Sequence, residues 1–151
     1  MIDQAAPDFT LPATGGQTVT LSALRGQPVV LYFYPKDNTP GCTNETQDFR
    51  DLHERFAAAG CRVFGISRDS LKSHENFKAK LGLPFELISD ADETACQRYG
   101  VIKMKKMYGK EVRGIERSTF IIDAAGALRH EVRGVKVAGH AQAILDIVKT
   151  L

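Results

Sequence analysis

The sequence predicts an α/β fold in which a central mixed β-sheet is flanked by helices and extended by an N-terminal hairpin. Three observations carry this prediction: a strand–helix–strand pattern in the first half, a hairpin pattern in the second half, and an amphipathic helix at the C-terminus. The chain has 151 residues, of which 43% are hydrophobic and 25% charged. That size and composition are typical of one globular domain, here spanning residues 1–151.

The N-terminal segment predicts a hairpin followed by a buried strand. Phe9–Leu11 and Val19–Leu21 flank a Gly15–Gly16 turn, and Ser22–Leu24 favours a helical turn after them. The next segment, Pro28–Tyr34, consists mainly of β-branched and aromatic residues, and both its odd-numbered and its even-numbered positions are apolar. A strand with two apolar faces belongs in the centre of a sheet.

A βαβ unit follows this strand. Residues 45–59 carry apolar side chains at helical spacing, and Gly60 follows as a stop signal. Arg62–Ser67 then predicts another buried strand. Two strands joined by one helix over about forty residues are expected to be parallel, with a right-handed crossover.

The second half predicts shorter elements and a terminal helix. A helix is expected over Ser70–Leu81, a strand over Phe85–Ile88 and a short helix over Thr94–Tyr99. Ser118–Asp123 and Ala127–Val132 flank a Gly-containing turn and predict a hairpin. The last helix has one apolar face, formed by Ala141, Ile144, Leu145, Val148 and Leu151. A parallel βαβ half followed by an antiparallel hairpin and a helix is the thioredoxin-like arrangement.

The charge balance and the hydropathy pattern exclude several classes of protein. Lys and Arg number 20 and Asp and Glu 18, a net charge of +2, which argues against a partner such as nucleic acid or a membrane surface. The longest apolar run, residues 28–34, is too short to cross a bilayer. The first residues lack the pattern of a signal peptide, so a cytoplasmic location is expected.

The cysteines and glycines predict neither a disulfide framework nor a bound cofactor. Cys42, Cys61 and Cys96 are too few and too far apart for such a framework, and a reducing compartment would keep them as thiols. No cysteine has another cysteine or a histidine at the spacing of a zinc site, so no metal is expected. The glycines form no phosphate-binding pattern, so no nucleotide or flavin cofactor is expected.

The stretch Tyr34–Glu45 carries the predicted chemistry. It joins the carboxyl end of a central strand to a helix, where the reacting groups of α/β sheets gather. A cysteine in the first turn of a helix has unpaired backbone N–H groups and the positive end of the dipole nearby, and both favour the thiolate. A thioredoxin-type oxidoreductase has Cys-x-x-Cys here, whereas this chain has a threonine, Thr39, three residues before Cys42. A single activated thiolate beside a hydroxyl suits attack on an electrophile such as a peroxide.

These residues resemble a known family. Pro35-x-x-x-Thr39-x-x-Cys42 resembles the active-site motif of peroxiredoxins, and residues 39–43 are similar to the bacterioferritin comigratory protein (peroxiredoxin Q) branch. Further matches extend over nearly the whole chain. They are Ala6–Phe9, Arg68–Ser70, Lys106–Lys110 and Gly114–Phe120.

The resemblance implies a cofactor-free, thiol-dependent peroxidase that reduces hydrogen peroxide and organic hydroperoxides. It implies that Cys42 is the peroxidatic nucleophile and that Thr39 hydrogen-bonds both the thiolate and the peroxide. It also implies that Pro35 shields the site from water and that Arg117 stabilises the thiolate and the polarised peroxide. The arginine opens the predicted strand 118–123, so its side chain reaches the pocket if that strand lies beside the central one. The product would be a sulfenic acid.

The sequence departs from the branch where a resolving cysteine is expected. The position five residues after Cys42 is Gln47, and the helix predicted at 70–81 holds no cysteine. Pairing with Cys61 would require unfolding a helix about 22 Å long, because a disulfide needs Cα atoms within about 7 Å. Pairing with Cys96 is conceivable after local unwinding. The preferred hypothesis is a one-cysteine mechanism in which an external thiol (thioredoxin, glutaredoxin or glutathione) resolves the sulfenic acid.

Other interpretations stay open at this point. A thiol–disulfide oxidoreductase would need a second thiol near Cys42, and a non-catalytic redox sensor would show no turnover. Glu45 either tunes the site or merely suits the helix dipole. The lysines between Lys103 and Lys110 predict a solvated loop rather than a phosphate site. The branch suggests a monomer or a weak dimer.

Overall fold

The computed structural model describes all 151 residues and contains nine strands and five α-helices. The strands are β1 (Thr10–Ala13), β2 (Gln17–Thr20), β3 (Val29–Phe33), β4 (Arg62–Ser67), β5 (Leu87–Ser89), β6 (Ile102–Met107), β7 (Lys110–Ile115), β8 (Ser118–Ile122) and β9 (Leu128–Arg133). The helices are α1 (Pro40–Asp51), α2 (His53–Ala58), α3 (Leu71–Leu81), α4 (Thr94–Arg98) and α5 (His140–Val148). A short 3₁₀ turn at Leu21–Leu24 follows the first hairpin.

Seven strands form one mixed sheet in the order β2-β1-β5-β4-β3-β8-β9. The central strand β3 pairs in parallel with β4, as the βαβ pattern predicts, and antiparallel with β8. The N-terminal hairpin extends this sheet, because β1 pairs with β5 at Ala13 and Ile88. The thioredoxin-like arrangement is therefore confirmed, with the hairpin joined to the edge of the sheet.

The alternation of side chains along β3 creates two apolar cores, one on each face of the sheet. The odd-numbered residues of Val29–Phe33 belong to one cluster of 18 buried residues, which also contains Cys96. The even-numbered residues of Val30–Tyr34 belong to a second cluster of 18, which contains Cys42. Because successive side chains of a strand point to opposite faces, the two cysteines lie on opposite sides of the sheet.

The helix predicted over 45–59 is two helices. The first, α1, begins five residues earlier than the apolar periodicity indicates, and the break between α1 and α2 falls at Leu52. The first turn of α1 contains proline and polar residues and no apolar stripe, so periodicity alone misses it. Proline at the first helical position is favoured, because its missing N–H has no partner to lose there. Cys42 is consequently in the first turn of α1.

The lysine-rich segment predicted as a solvated loop is a two-stranded hairpin, and that prediction was wrong. β6 pairs with β7 over six residue pairs, from Ile102 with Ile115 to Met107 with Lys110. Tyr108 and Gly109 form its turn with positive φ values of 52° and 77°. Most of its side chains are exposed on both faces, so the alternation of apolar and polar residues that marks a half-buried strand is missing. No helix in the structure combines the length and apolar character needed to span a membrane.

Candidate active site

Cys42 lies where the carboxyl end of β3 passes into α1. The backbone N–H of Thr43 donates to the carbonyl of Thr39 at 2.8 Å and closes the first turn around the cysteine. The thiol is buried, with 1% of the residue exposed. The placement predicted from the strand–loop–helix pattern is confirmed, and it puts Cys42 in the first turn of α1, at the positive end of the helix dipole.

Arg117 reaches the cysteine from the neighbouring strand. The pairing of β3 with β8 sets Phe33 opposite Ser118, so the residue before Ser118 lies beside the loop that follows β3. Arg117 Nη2 donates to Cys42 Sγ at 3.4 Å, within the hydrogen-bond range for sulfur. Since a guanidinium keeps its charge at all relevant pH values, this contact favours the thiolate.

Gly41 makes room for that contact. A Cβ atom built on Gly41 would lie 3.1 Å from Arg117 Nη2, closer than ordinary van der Waals contact. The backbone of Gly41 does not need a positive φ, so the space it leaves is the reason for a glycine here. A side chain at this position would require the guanidinium to shift by a few tenths of an ångström.

Glu45 is the site residue whose role the sequence left undecided. It lies three residues after Cys42 on the same face of α1, and its Oε1 accepts from Arg117 Nη1 at 2.8 Å. Burial raises the pKa of the Glu45 carboxyl to about 7, although the charge and hydrogen bond of Arg117 work in the opposite direction. The second carboxyl oxygen, Oε2, is buried without a hydrogen-bond partner. The spacing of three residues from Cys42 is the signal that points to this role.

Thr39 and Pro35 shape the loop before the cysteine. The Thr39 hydroxyl donates to the carbonyl of Lys36 at 2.8 Å and makes no hydrogen bond to Cys42. Both Thr39 and Pro35 are partly exposed at the mouth of this loop. The roles that the resemblance implies for them, peroxide binding and shielding, stay predictions.

The other two cysteines lie apart from Cys42. Cys61 immediately precedes β4, so it lies at the amino ends of the parallel strands, whereas Cys42 follows the carboxyl end of β3. Burial raises the pKa of the Cys61 thiol to about 12. Cys96 is fully buried in α4 on the other face of the sheet. Burial and a hydrogen bond with Asp90 raise the pKa of the Cys96 thiol far above its usual range. Neither thiol has the exposure or the ionisation that attack on Cys42 requires.

Two further basic side chains surround Arg117. Lys105 of β6 donates to the carbonyl of Ile115, and burial together with the charge of Arg117 lowers the pKa of its ammonium group. His140, at the start of α5, pairs its Nε2 with the hydroxyl of Thr119 at 2.7 Å. Burial and Arg117 lower the pKa of His140 to about 4, so its imidazole is neutral near pH 7. The sequence patterns singled out neither residue for the site.

A second polar cluster lies beneath the loop. Asp37, Asp69 and His74 bring oxygen and nitrogen atoms of metal-ligand type within 4.8 Å of one another. These atoms are hydrogen-bonded within the protein: Asp37 Oδ2 to His74 Nδ1 at 2.7 Å, and Asp69 Oδ2 to the backbone N–H of Asp37 at 2.9 Å. The cluster therefore satisfies its own polar groups.

The arrangement around Cys42 can perform nucleophilic chemistry with stabilisation of negative charge. It combines a buried sulfur at a helix N-terminus with a guanidinium oriented by a carboxylate. A fixed cation lowers the barrier most where charge develops in the transition state, and a carboxylate that holds the cation in place removes the need for reorganisation.

Comparisons with known proteins agree with this chemistry. The sequence profile of the AhpC/TSA family matches residues 2–131. Peroxiredoxin Bcp of Xanthomonas campestris is 53% identical over 142 residues, which are 94% of this chain and 89% of that protein. Peroxiredoxin Bcp of Bacillus subtilis is 49% identical over 150 residues, which are 99% of this chain and 96% of that protein.

Solved structures show the same similarity. A structure of the bacterioferritin comigratory protein of Xanthomonas campestris, described for its alkyl peroxide reduction activity, superposes with a TM-score of 0.90 at 51% identity and covers 94% of this chain and 90% of that one. A structure of PrxQ from Xylella fastidiosa superposes with a TM-score of 0.94 at 43% identity and covers 99% of this chain and 96% of that one.

Proposed function

Because this chain belongs to the AhpC/TSA family, as a peroxiredoxin of the bacterioferritin comigratory protein branch, we propose that Cys42 is the nucleophile with which it reduces hydroperoxides. The protein is a thiol-dependent peroxidase whose substrates are hydrogen peroxide and organic hydroperoxides. The observation that carries the assignment to Cys42 is its 3.4 Å contact with Arg117 at the start of α1.

The peroxidase step is a displacement at oxygen. The Cys42 thiolate attacks the terminal oxygen of the hydroperoxide, an S–O bond forms, and the O–O bond breaks with its electron pair leaving on the other oxygen. The sulfur is oxidised to a sulfenic acid, and the leaving alkoxide or hydroxide takes up a proton to become an alcohol or water. Arg117 stabilises the thiolate before attack and the negative charge that develops on the leaving oxygen.

Thr39 and Pro35 complete the proposed site. The proton of the Thr39 hydroxyl is committed to the Lys36 carbonyl, which leaves the oxygen of that hydroxyl free to accept the O–H of a bound hydroperoxide. Pro35 has no backbone N–H, so it adds surface to the loop without adding a donor that would hold water. Thr39 would thus position the peroxide, and Pro35 would shield the site from water.

An external thiol is the proposed reductant. Its thiol attacks the sulfenic sulfur of Cys42, water leaves, and a second thiol breaks the resulting mixed disulfide, which returns Cys42 to its reduced form. Thioredoxin, glutaredoxin or a low-molecular-weight thiol such as glutathione would supply both sulfurs. The burial of Cys61 and Cys96 supports this route over an internal disulfide.

The wider setting is proposed from the same features. All three cysteines are free, which suits a reducing cytoplasmic compartment. The seven-stranded sheet takes strands from both halves of the chain, which supports one domain over residues 1–151. A monomer or weak dimer is proposed from the resemblance to the bacterioferritin comigratory protein branch.

Stopped-flow measurement of peroxide consumption tests the assignment. Cys42→Ser is expected to abolish the reaction of the reduced protein, whereas Cys61→Ser, an equally buried thiol away from the site, is expected to react like the wild type. Mass spectrometry after one equivalent of peroxide is expected to place a single added oxygen on Cys42. A Cys42→Ser variant that consumes peroxide at the wild-type rate would refute the proposal.

A further inference from the structure

We propose that the buried Asp37–His74 pair is a positioning device that clamps the loop 35–39 onto α3 and so sets the geometry in which Cys42 meets a peroxide. The proposal rests on the proposed function of Cys42. Neither residue contacts Cys42 or Arg117, so both are positioning residues rather than catalytic ones. The loop between β3 and α1 is the only covalent link between the central strand and the turn that holds Cys42.

Asp37 is the point at which the loop is held. Its Oδ1 accepts from the hydroxyl of Tyr34 at 2.6 Å, and its Oδ2 accepts from His74 at 2.7 Å and from Ser73 at 2.8 Å. Two of these three donors belong to α3, which lies outside the loop. A residue in the middle of a connecting loop is normally exposed, whereas Asp37 is buried because α3 surrounds its carboxylate.

His74 joins the loop to the sheet. Its Nδ1 faces Asp37 Oδ2, and its Nε2 faces the carbonyl of Ile88 in β5 at 3.0 Å. A carbonyl can only accept, so the hydrogen bond with Ile88 uses a proton on Nε2, while Nδ1 and Asp37 Oδ2 share the hydrogen bond between them. The two side chains form a hydrogen-bonded pair with at most 1% of either side chain exposed. Burial opposes the ionised carboxyl, but the hydrogen bond and charge of His74 hold the pKa of Asp37 below its usual value.

The contacts of α3 extend to the turn residue that follows Asp37. Asn38 has a φ of 62°, in the left-handed region that asparagine adopts more readily than most residues with a side chain. The backbone N–H of Asp37 is fixed by Asp69 at 2.9 Å, and Lys80 of α3 reaches the Asn38 side chain at 3.4 Å. Ser73, His74 and Lys80 of α3 thus hold Asp37 and Asn38, two consecutive residues of the loop.

The clamp determines where Thr39 and Cys42 lie. Thr39 follows Asn38 directly, and its hydroxyl donates to the carbonyl of Lys36 in the same loop. The carbonyl of Thr39 accepts from the backbone N–H of Thr43, which closes the first turn of α1. A rotation at Asn38 would displace Thr39 relative to Cys42. Displacements of about 1 Å in a reactive geometry reduce rates by up to about a hundredfold. The clamp therefore acts on the alignment of the peroxide more than on the ionisation of the thiol.

Single substitutions test the clamp. Asp37→Asn places an amide donor against Ser73 or His74, and His74→Gln cannot serve Asp37 and Ile88 together. Each is expected to lower the second-order rate with hydrogen peroxide by about tenfold or more, while alkylation of Cys42 by iodoacetamide, which needs only the thiolate, changes by less than about threefold. His53→Gln is the matched control, because His53 only stacks on Phe85 and lies away from the loop.

A double variant tests whether the two residues act as one unit. Removing one partner leaves a buried polar group without its hydrogen bond, whereas Asp37→Ala with His74→Leu removes both polar groups. The double variant is expected to lose no more peroxide rate than the worse single variant, the pattern of residues that act as a unit. Circular dichroism of each variant establishes whether it is folded.

Every outcome decides the question. Peroxide rates of Asp37→Asn and His74→Gln within about twofold of the wild type would overturn the proposal, as would losses of peroxide and alkylation rates in equal proportion. If both variants fail to fold, Ser73→Ala removes one donor from the same carboxylate at a partly exposed position. It is then expected to lower the peroxide rate by about threefold with unchanged alkylation, and an unchanged rate overturns the proposal. Failure of the proposed function is distinguishable, because the wild type itself would then show no Cys42-dependent reaction.

Discussion

Cys42 and Glu45, one helical turn apart on α1, share the guanidinium of Arg117. One amino group of the guanidinium lies 3.4 Å from the sulfur, and the other lies 2.8 Å from the carboxylate. The carboxylate holds the cation beside the sulfur, where the proposed function has it stabilise the thiolate. The reactivity of the sulfur depends on this three-residue arrangement and on the surroundings that maintain it.

Replacing Arg117 by lysine is expected to slow the reaction with hydrogen peroxide by about a hundredfold. A single ammonium group cannot contact the sulfur and the carboxylate at two fixed positions, and loss of one aimed donor commonly reduces rates by about a hundredfold to a thousandfold. Stopped-flow kinetics measure the effect. Arg113→Lys is the control, since Arg113 pairs with Glu93 on the exposed hairpin. Equal rates for the two variants would contradict the role of Arg117.

Glu45→Gln is expected to keep the peroxide rate within about threefold of the wild type, whereas Glu45→Ala loses about tenfold. Glutamine still offers a carbonyl oxygen to Arg117 Nη1, but alanine leaves the guanidinium free to turn away from the sulfur. The same kinetic assay compares the two. Equal losses for both variants would show that charge, rather than orientation, is what Glu45 contributes.

The raised pKa of Glu45 also predicts a pH-dependent stability. Its pKa is about 7 when folded and 4.5 when unfolded, so the folded state binds more protons between these values. The contribution of Glu45 to the free energy of unfolding is therefore largest at low pH and falls as the pH rises through this window. Urea unfolding of the wild type and of Glu45→Gln at pH 5 and pH 8 measures this contribution. The free energy of unfolding of the wild type minus that of the variant is expected to be larger at pH 5 than at pH 8 by roughly 2–3 kcal/mol. A difference independent of pH would refute this.

Gly41→Ala is expected to lower the peroxide rate by about threefold to tenfold without loss of stability. The added Cβ would lie 3.1 Å from Arg117 Nη2, so the guanidinium must shift by a few tenths of an ångström, which disturbs its contact with Cys42. Alanine favours the helix over glycine by up to about 1 kcal/mol, which offsets the crowding. The matched control is Gly114→Ala, whose Cβ would come no closer than 4.0 Å to Arg68. Kinetics and thermal unfolding measure both variants, and a full rate in Gly41→Ala would contradict the steric argument.

Cys96→Ala is expected to leave turnover with an external thiol unchanged within about twofold, because Cys96 lies on the opposite face of the sheet from Cys42. Non-reducing mass spectrometry of the oxidised wild type is expected to show the sulfenic acid of Cys42, or its mixed disulfide with added thiol. A bond from Cys42 to Cys96, lost together with activity in the variant, would instead establish an internal resolving cysteine.

Much of the sheet was predictable because its strands and helices are encoded locally. The apolar run of β3 and the Gly-containing turn between β8 and β9 depend on neighbours within a few residues. The hairpin of β6 and β7 could not be predicted from the sequence, because its exposed strands bury few side chains and have no periodic apolar face. The site shows the same division. Cys42 was identified from the strand–loop–helix pattern and Arg117 through the resemblance to a family motif, whereas the hydroxyl of Thr39 bonds Lys36 instead of the thiol.

The sequence alone determined that a cysteine opens a helix after a buried central strand, since the strand, the proline and the helix pattern lie within a short stretch of chain. The tertiary structure decided which groups meet that cysteine. Glu45 and Arg117 are 72 residues apart, and Asp37 and His74 are 37 apart. Contacts over such separations depend on the order of strands in the sheet and on the packing of α3 against the loop, and no local periodicity encodes either.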